Sequence, residues 1–383
     1  HSQCWNVGEC PLLLLALILS SLRLISFRNH LDSLLDTRKR KVVFLEGPNG
    51  AGKTSVLEAI HLMATGIGFR TRRDADFARF GAEGYRIDLR CDEFDAAIRH
   101  KEGSRREAFL RQAPLPKWTD LIGRIRMTVL KPDDLAIIED GPAERRRYLD
   151  IMLSQKDRSY FDALRRWKRA AKQLHRGATR YSSSRSGSAV SASFATLVAA
   201  ELPRIFESRD RCCSRLADSV KSLQEELALP GILGLEYRPA VPGKWEPGDW
   251  ETAAKNCFRE SRRCEAMGQP SPWGPGRDDV AVTLDGVLLR QFGSQGQKRL
   301  ASLVLRLAEA RFLTSDDQSP LVLVDDVLGE LDRDRKNAFL GLLGGVSGQI
   351  WLADTATKYY EERFQNWAKF DIKSGTLQGA IYP

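Results

Sequence analysis

Glu46-Gly47-Pro48-Asn49-Gly50-Ala51-Gly52-Lys53-Thr54-Ser55 is the stretch whose reading decides the fold. It has the form G-x-x-x-x-G-K-[ST], entered through the apolar run Val42-Val43-Phe44-Leu45 and left through Val56, Leu57, Ala59, Ile60 and Met63 at helical spacing. Strand, glycine loop and helix in that order make a phosphate cradle. Glycine lets successive backbone N–H groups turn inward, and the helix start adds the positive end of its dipole. Lys53 is then placed to reach the terminal phosphates of ATP and Thr54 to hold Mg2+, with Gly47, Asn49, Gly50, Ala51, Gly52 and Ser55 in the cradle.

Two later stretches complete this chemistry. Leu321-Val322-Leu323-Val324-Asp325-Asp326 is an apolar strand ending in paired carboxylates. The first, Asp325, is suited to the metal shell, and the second, Asp326, to orienting or deprotonating the attacking water. Phe292-Gly293-Ser294-Gln295-Gly296-Gln297-Lys298-Arg299 precedes a helical pattern over 300–313, so Ser294, Gln295, Gly296 and Gln297 open a second anion-recognising helix start. One chain does not need two helix starts for one γ-phosphate. The economical reading is a homodimer in which each copy covers the ATP held by the other.

At 383 residues, with 42% hydrophobic and 28% charged residues, the chain has the composition of a soluble globular protein of two or three domains. A net charge of +9 favours a polyanionic partner. The seven cysteines form neither C-x-x-C pairs nor a cluster with histidine, which argues against zinc and a disulfide framework and for a reducing cytoplasm. Pro11 to Leu19 is too short an apolar run to span a bilayer and has no basic segment before it, so no membrane association is expected. Residues 1–20 read as an artefact of the start of the chain, with an exported protein as the alternative.

Along the chain, the alternation over 22–30 predicts a strand and 32–40 a polar connection. Short strands around a hairpin turn at 101–106 predict an antiparallel patch. Tyr160, Leu164, Trp167, Ala171 and Leu174 recur at three and four residues, with Arg and Lys opposite, which predicts an amphipathic helix. A flexible connection over 176–193 and a second helical region over 194–229, kinked near Pro203, follow. The expected organisation is α/β: an ATPase lobe over 21–142, an inserted helical lobe over 143–230, and the second part of the ATPase lobe over 231–383.

Walker A at 50–54, signature Ser294-Gln295-Gly296-Gln297, Walker B Val324-Asp325-Asp326 and D-loop Glu330-Leu331-Asp332 occur in the order found in ABC-type ATPase heads, which the chain resembles. Ser26-Phe27-Arg28-Asn29, Gly68-Phe69-Arg70-Thr71, Lys131-Pro132-Asp133-Asp134-Leu135, Arg145-Arg146-Arg147-Tyr148-Leu149-Asp150 and Gly274-Pro275-Gly276-Arg277-Asp278-Asp279 are similar to the RecF family of recombinational-repair ATPases, and the likeness spans 22–373. Transporter ATPases usually carry Ser-Gly-Gly-Gln at the signature.

The resemblance implies an ABC head with a helical second lobe, ATP-dependent dimerisation on DNA, slow hydrolysis, and cooperation with RecR and RecO in loading RecA at gapped DNA. It gives catalysis to Lys53, Asp325 and Asp326, and metal binding to Thr54 and Asp325. It adds Arg28 and Asn29 to the nucleotide site, trans γ-phosphate contacts to Ser294 and Gln297, and a dimer contact to Asp332. The segment 349–355 lacks the switch histidine of many ABC ATPases, leaving Asp354 or Thr355 for that role, and Lys131 to Leu135 stands where a Q-loop would.

Too little helix lies between the motifs for the long coiled coil of an SMC protein. The motifs stand too far apart for a transporter ATPase, and too little chain follows Asp332 for an OLD-type nuclease. A structural DNA clamp that binds ATP with little turnover remains the alternative. For sequence-independent DNA contacts, to duplex or to single/double-strand junctions, the candidates are Arg70, Arg72, Arg73, Arg105, Arg106, Arg145, Arg146, Arg165, Arg166, Lys168, Arg169 and Lys172, with Arg145 and Arg146 equally suited to a structural role paired with core carboxylates.

Overall fold

The computed structural model describes residues 17–180, 185–267, 269, 271–315 and 318–383. β1 (Leu19–Phe27) turns at Arg28-Asn29 into β2 (His30–Asp36), its antiparallel partner. The polar connection expected over 32–40 is therefore mostly strand. Its alternation was hidden because the inward positions include Ser33 and Thr37, while Leu31 and Leu34 face out.

β1 also begins earlier than the sequence pattern suggested. Leu17 and Leu19 are buried, and the Leu19 N–H and carbonyl are both held by the Gln349 side-chain amide, at 3.0 and 3.1 Å. Leu17 and Leu19 thus belong to the core, whereas residues 1–16 lie outside the described residues.

β3 (Val42–Glu46) leads through the glycine loop to α1 (Lys53–Thr65). β4 (Gly84–Cys91), β5 (Asp95–Lys101), β6 (Glu107–Leu110) and β7 (Ala113–Pro114) join the first hairpin in an antiparallel sheet of order β2-β1-β4-β5-β6-β7. The hairpin expected at 101–106 is the β5–β6 turn.

After β8 (Met127–Leu130) come α2 (Ala136–Glu139), α3 (Pro142–Lys156), α4 (Arg158–Arg180) and α5 (Arg185–Glu226). The flexible connection expected over 176–193 is helical on both sides of 181–184, which lie outside the described residues. α4 packs along α5, and such packing overrides weak helix propensity. α5 continues through Pro203 as one helix of 42 residues.

β9 (Leu233–Arg238), α6 (Trp250–Ala266), β10 (Asp279–Leu284) and β11 (Val287–Leu288) follow, with the three strands in a small antiparallel sheet that turns at Asp285-Gly286. α7 (Leu289–Phe292), α8 (Gln295–Leu313), β12 (Leu321–Asp325), α9 (Arg333–Gly344), β13 (Ile350–Asp354), α10 (Lys358–Glu361), β14 (Trp367–Lys373) and β15 (Thr376–Ile381) close the chain.

The central sheet has the order β15-β14-β3-β13-β12-β8, parallel except at its β15 edge. Its middle strands β3, β13 and β12 are continuous apolar runs because both faces are covered. Val42, Phe44, Val322, Val324, Ile350 and Leu352 enter one core with α3, α5 and α8. Val43, Leu45, Leu321, Leu323, Trp351 and Ala353 enter the other, with α1 and the antiparallel sheet. Alternation along each strand therefore ties the two halves of the molecule to one layer.

A buried ion cluster pins the helical segment to the strands. The fully buried Arg209 of α5 donates to Asp150 Oδ1 of α3 at 2.8 Å, Asp278 Oδ2 at 2.7 Å and the Pro275 carbonyl at 2.8 Å. Tyr160 gives a hydrogen bond to Asp150, and Tyr237 to Asp278. Truncating Arg209 would leave the buried Asp278 without a cation and Asp150 with Lys168 alone. Arg209→Ala should lower stability by about 3–5 kcal/mol, read as a shift in the denaturant midpoint with unchanged slope.

Candidate nucleotide site

The parallel order brings the ends of β3, β13 and β12 side by side, with Asp354 opposite Glu46 and Asp325 opposite Ala353. This carboxyl edge of the sheet is where α/β folds place ligands. The glycine loop leaves β3 here and enters α1 through Gly52, at φ 118°, where a Cβ would come within 2.7 Å of His30 Nε2. No side chain caps α1 and no acidic residue stands in its first turn, so its leading N–H groups are available to an anion.

The β1–β2 turn supports the loop from behind. Asn29 Nδ2 donates to the Ala51 carbonyl at 3.1 Å, and His30 Nε2 lies 3.1 Å from the Gly52 carbonyl. Lys53 Nζ donates to the Gly47 and Pro48 carbonyls at 2.6 and 3.0 Å, so it lies across the cradle. Burial pushes its ammonium pKa down, against the pull of Asp326, Asp325 and Asp354.

Thr54 Oγ1 donates to Asp325 Oδ1 at 3.0 Å across 271 residues of sequence. Burial raises the Asp325 pKa, opposed mainly by the Thr54 bond. A hydroxyl and a carboxylate side by side are the hard oxygen donors that suit Mg2+, which takes its remaining ligands from phosphate and water. Among the described residues no three His, Cys, Asp or Glu side chains form a metal cage.

Asp326 is exposed and sits at φ 51°. Aspartate tolerates that left-handed conformation better than most residues, and such positions concentrate at functional sites. Of the two switch candidates, Asp354 is half-buried, accepts from Tyr360 OH at 2.5 Å and acts on Lys53, whereas Thr355 is exposed.

The helix expected at 300–313 begins earlier, at Gln295, with Ser294 as its cap. Gln297 N–H donates to Ser294 Oγ at 3.3 Å and Ser294 N–H to Gln297 Oε1 at 2.8 Å, a reciprocal capping box. Gln295 Nε2 and Lys298 Nζ both reach Glu139 Oε1 of α2, at 3.0 and 3.1 Å. Ser294, Gln295 and Gly296 are at least partly exposed, and Phe292 just before them is 72% exposed. Asp332 is exposed too and caps α9 by accepting from Arg335 N at 2.9 Å.

The turn after β8 is linked to this helix by a buried network that sequence reasoning missed. Asp134 Oδ2 accepts from Lys131 N at 2.8 Å, while Arg306 of α8 bridges Asp134 at 2.6 Å and Glu309 at 2.8 Å. Thr128 of β8 donates to Glu309 at 3.0 Å. The available signal was two opposite charges three residues apart inside the apolar run 300–313.

Several expected ligands are engaged elsewhere. Arg28 makes paired bonds of 2.7 and 2.9 Å to Glu58 of α1 and a third to the Asp76 carbonyl, so it braces the site while Asn29 meets the loop. Glu58 also accepts from Phe69 N at 2.9 Å, which joins two of the short motifs through one carboxylate.

Arg106 is buried against Asp74, and Arg145 against Asp279, each at about 2.7 Å, so neither guanidinium is available to DNA. Arg146 donates to the Asp278 carbonyl, Arg166 pairs with Glu201 and Lys168 with Asp150. Arg70, Arg72, Arg73 and Arg105 are exposed. Arg72, Arg146, Arg165, Lys168, Arg169 and Lys172 line one cleft of about 730 Å3.

A central parallel sheet with its phosphate loop, Walker B carboxylates and signature helix defines an ABC-type ATPase head. An AAA domain model matches residues 21–165. The DNA replication and repair protein RecF of Heliobacterium modesticaldum is 32% identical, over 94% of this chain and 98% of that protein. RecF of Moorella thermoacetica is also 32% identical, over 89% and 90%. The structure described as the recombination mediator protein RecF-ATP in the RecFOR pathway superposes with a TM-score of 0.84 at 24% identity, covering 96% of this chain and 98% of that one. A Pyrococcus furiosus Smc head domain gives 0.56 at 14% identity, covering 96% of each chain. The chain belongs to the RecF family of DNA replication and repair proteins.

Lys53→Ala removes the only ammonium bonded to the loop carbonyls among the described residues. It should abolish tight ATP binding while leaving the fold intact, as fluorescent-nucleotide titration with a parallel melting curve would show.

Proposed function

We propose that the chain is an ATP-dependent DNA-binding protein of recombinational repair and replication-fork maintenance, acting as a dimer closed around two ATP molecules. The observation that carries this reading is a division of labour. Thr54 and Asp325 meet within one chain, whereas the Ser294 helix start stands at the surface, bonded to itself and to Glu139.

In this reading Lys53 exchanges the Gly47 and Pro48 carbonyls for phosphate oxygens. Thr54 and Asp325 hold Mg2+, which supplies charge neutralisation at the β- and γ-phosphates. Asp326 orients the attacking water. Ser294 and Gln297 of a second copy cover the γ-phosphate, and Asp332 makes a contact across the dimer. Hydrolysis is slow and DNA-stimulated, in keeping with a group that holds DNA rather than moves along it. RecR and RecO act with it toward RecA at gapped DNA in the cytoplasm, and no membrane is involved. No helix among the described residues is long and apolar enough to cross a bilayer.

Two measurements test this. Ser294→Arg should keep ATP binding but remain monomeric with ATP by light scattering, and a dimer in that variant overturns the trans arrangement. Asp326→Asn should cut multiple-turnover phosphate release by about 100-fold, the scale of losing a general base. Equal release by wild type and variant, both at background, would instead favour a clamp that binds ATP without useful turnover.

A further inference from the structure

We propose that the cleft between the end of α1 and helices α3 and α4 is a site for unpaired nucleic acid, with phosphates on a cationic rim and bases against two tryptophans. This rests on the DNA-binding reading above but not on dimerisation.

The first argument is charge. Eight cationic side chains and a single carboxylate, Asp150, line the cleft. That carboxylate is already neutralised by Arg209 at 2.8 Å and Lys168 at 2.9 Å. Arg72, Arg165, Arg169 and Lys172 have no ion pair among the described residues, unlike Arg23, which is paired with Asp32, and Arg99, which is paired with Glu107. Four cations left without a counter-charge around one concavity fit an external polyanion.

The second argument is size and floor. At about 730 Å3 the cleft falls in the small-ligand range of roughly 300–1,000 Å3, which admits a few nucleotides and not a duplex. Trp118 and Trp167 line it together with Phe161 and Leu164. Both rings are held rather than free. Trp118 lies under the Arg106 guanidinium, 5.1 Å from its ring centre, and against Gly66, where a Cβ would come within 1.8 Å of it. Trp167 packs on Gly276 and the apolar core. Fixed aromatic rings inside a cationic rim are the arrangement on which unpaired bases stack, whatever their sequence, whereas bases within a duplex are already stacked on one another.

The test is anisotropy of a labelled oligothymidylate, and of a duplex of equal length, with the ATP-free protein at several salt concentrations. Trp167→Ala should weaken single-strand binding about tenfold or more, Trp167→Phe should restore most of it, and duplex binding should change little. Arg169→Ala with Lys172→Ala should flatten the salt dependence by roughly 0.7 in log–log slope for each phosphate that the variant no longer neutralises. If Trp167→Ala proves unfolded by its melting curve, Arg169→Glu with Lys172→Glu, on exposed positions, decides the matter in its place. Single-strand binding unchanged in the folded variants, or weakened only in parallel with duplex, overturns the proposal. If the wild type still retains gapped DNA with ATP, only the cleft assignment falls. If the wild type retains no DNA of any form, the broader reading falls with it.

Discussion

The hydrogen bond between Thr54 and Asp325 depends on one constraint, the parallel pairing of β3 with β13 and of β13 with β12. Parallel neighbours cannot be joined by short turns, so intervening chain must be accommodated elsewhere. Here that chain is the antiparallel sheet on one side and the helical segment on the other. Because alternate residues of each central strand enter opposite cores, a shift in register would disturb both cores and the phosphate site together.

The fold and the nucleotide site were legible because their signals are local. A glycine loop between strand and helix, and an apolar strand ending in two carboxylates, state their geometry within ten residues each. What escaped were features whose cause lies far away in sequence. β2 was hidden because Ser33 and Thr37 occupy inward positions, where Ser33 Oγ donates to the Gly375 carbonyl and Thr37 Oγ1 to the Leu19 carbonyl. The helical stretches over 176–180 and 185–193 were hidden by a serine- and glycine-rich composition that ignores the neighbour helix. Nothing near Arg306 and Glu309 in the sequence names Asp134 and Thr128 as their partners, which lie 172 and 181 residues earlier.

The basic residues show the same limit from the other side. Composition counts cations but does not say which carboxylates already hold them. Arg28 is committed to Glu58, Arg106 to Asp74 and Arg145 to Asp279, and each of these arginines lies in or beside a motif that joins two separate segments. Asp150 and Asp278, from two other motifs, meet through Arg209. Much of the characteristic sequence therefore encodes a buried electrostatic frame, in which removing any one partner strands another.

The mutual cap between Ser294 and Gln297 carries a consequence for how selective the exposed helix start can be. A bare helix end attracts almost any small anion, since its amides have nothing to lose. Here the amide of Gln297 is already occupied, as is the side chain that closes over it, so an incoming group must displace a working arrangement to gain that amide. Ordinary inorganic ions offer too few bonds to drive that exchange, whereas a multiply charged group already fixed in place by another protein surface brings many at once. In the proposed dimer, self-satisfaction at the helix end would then act as a threshold against weak visitors.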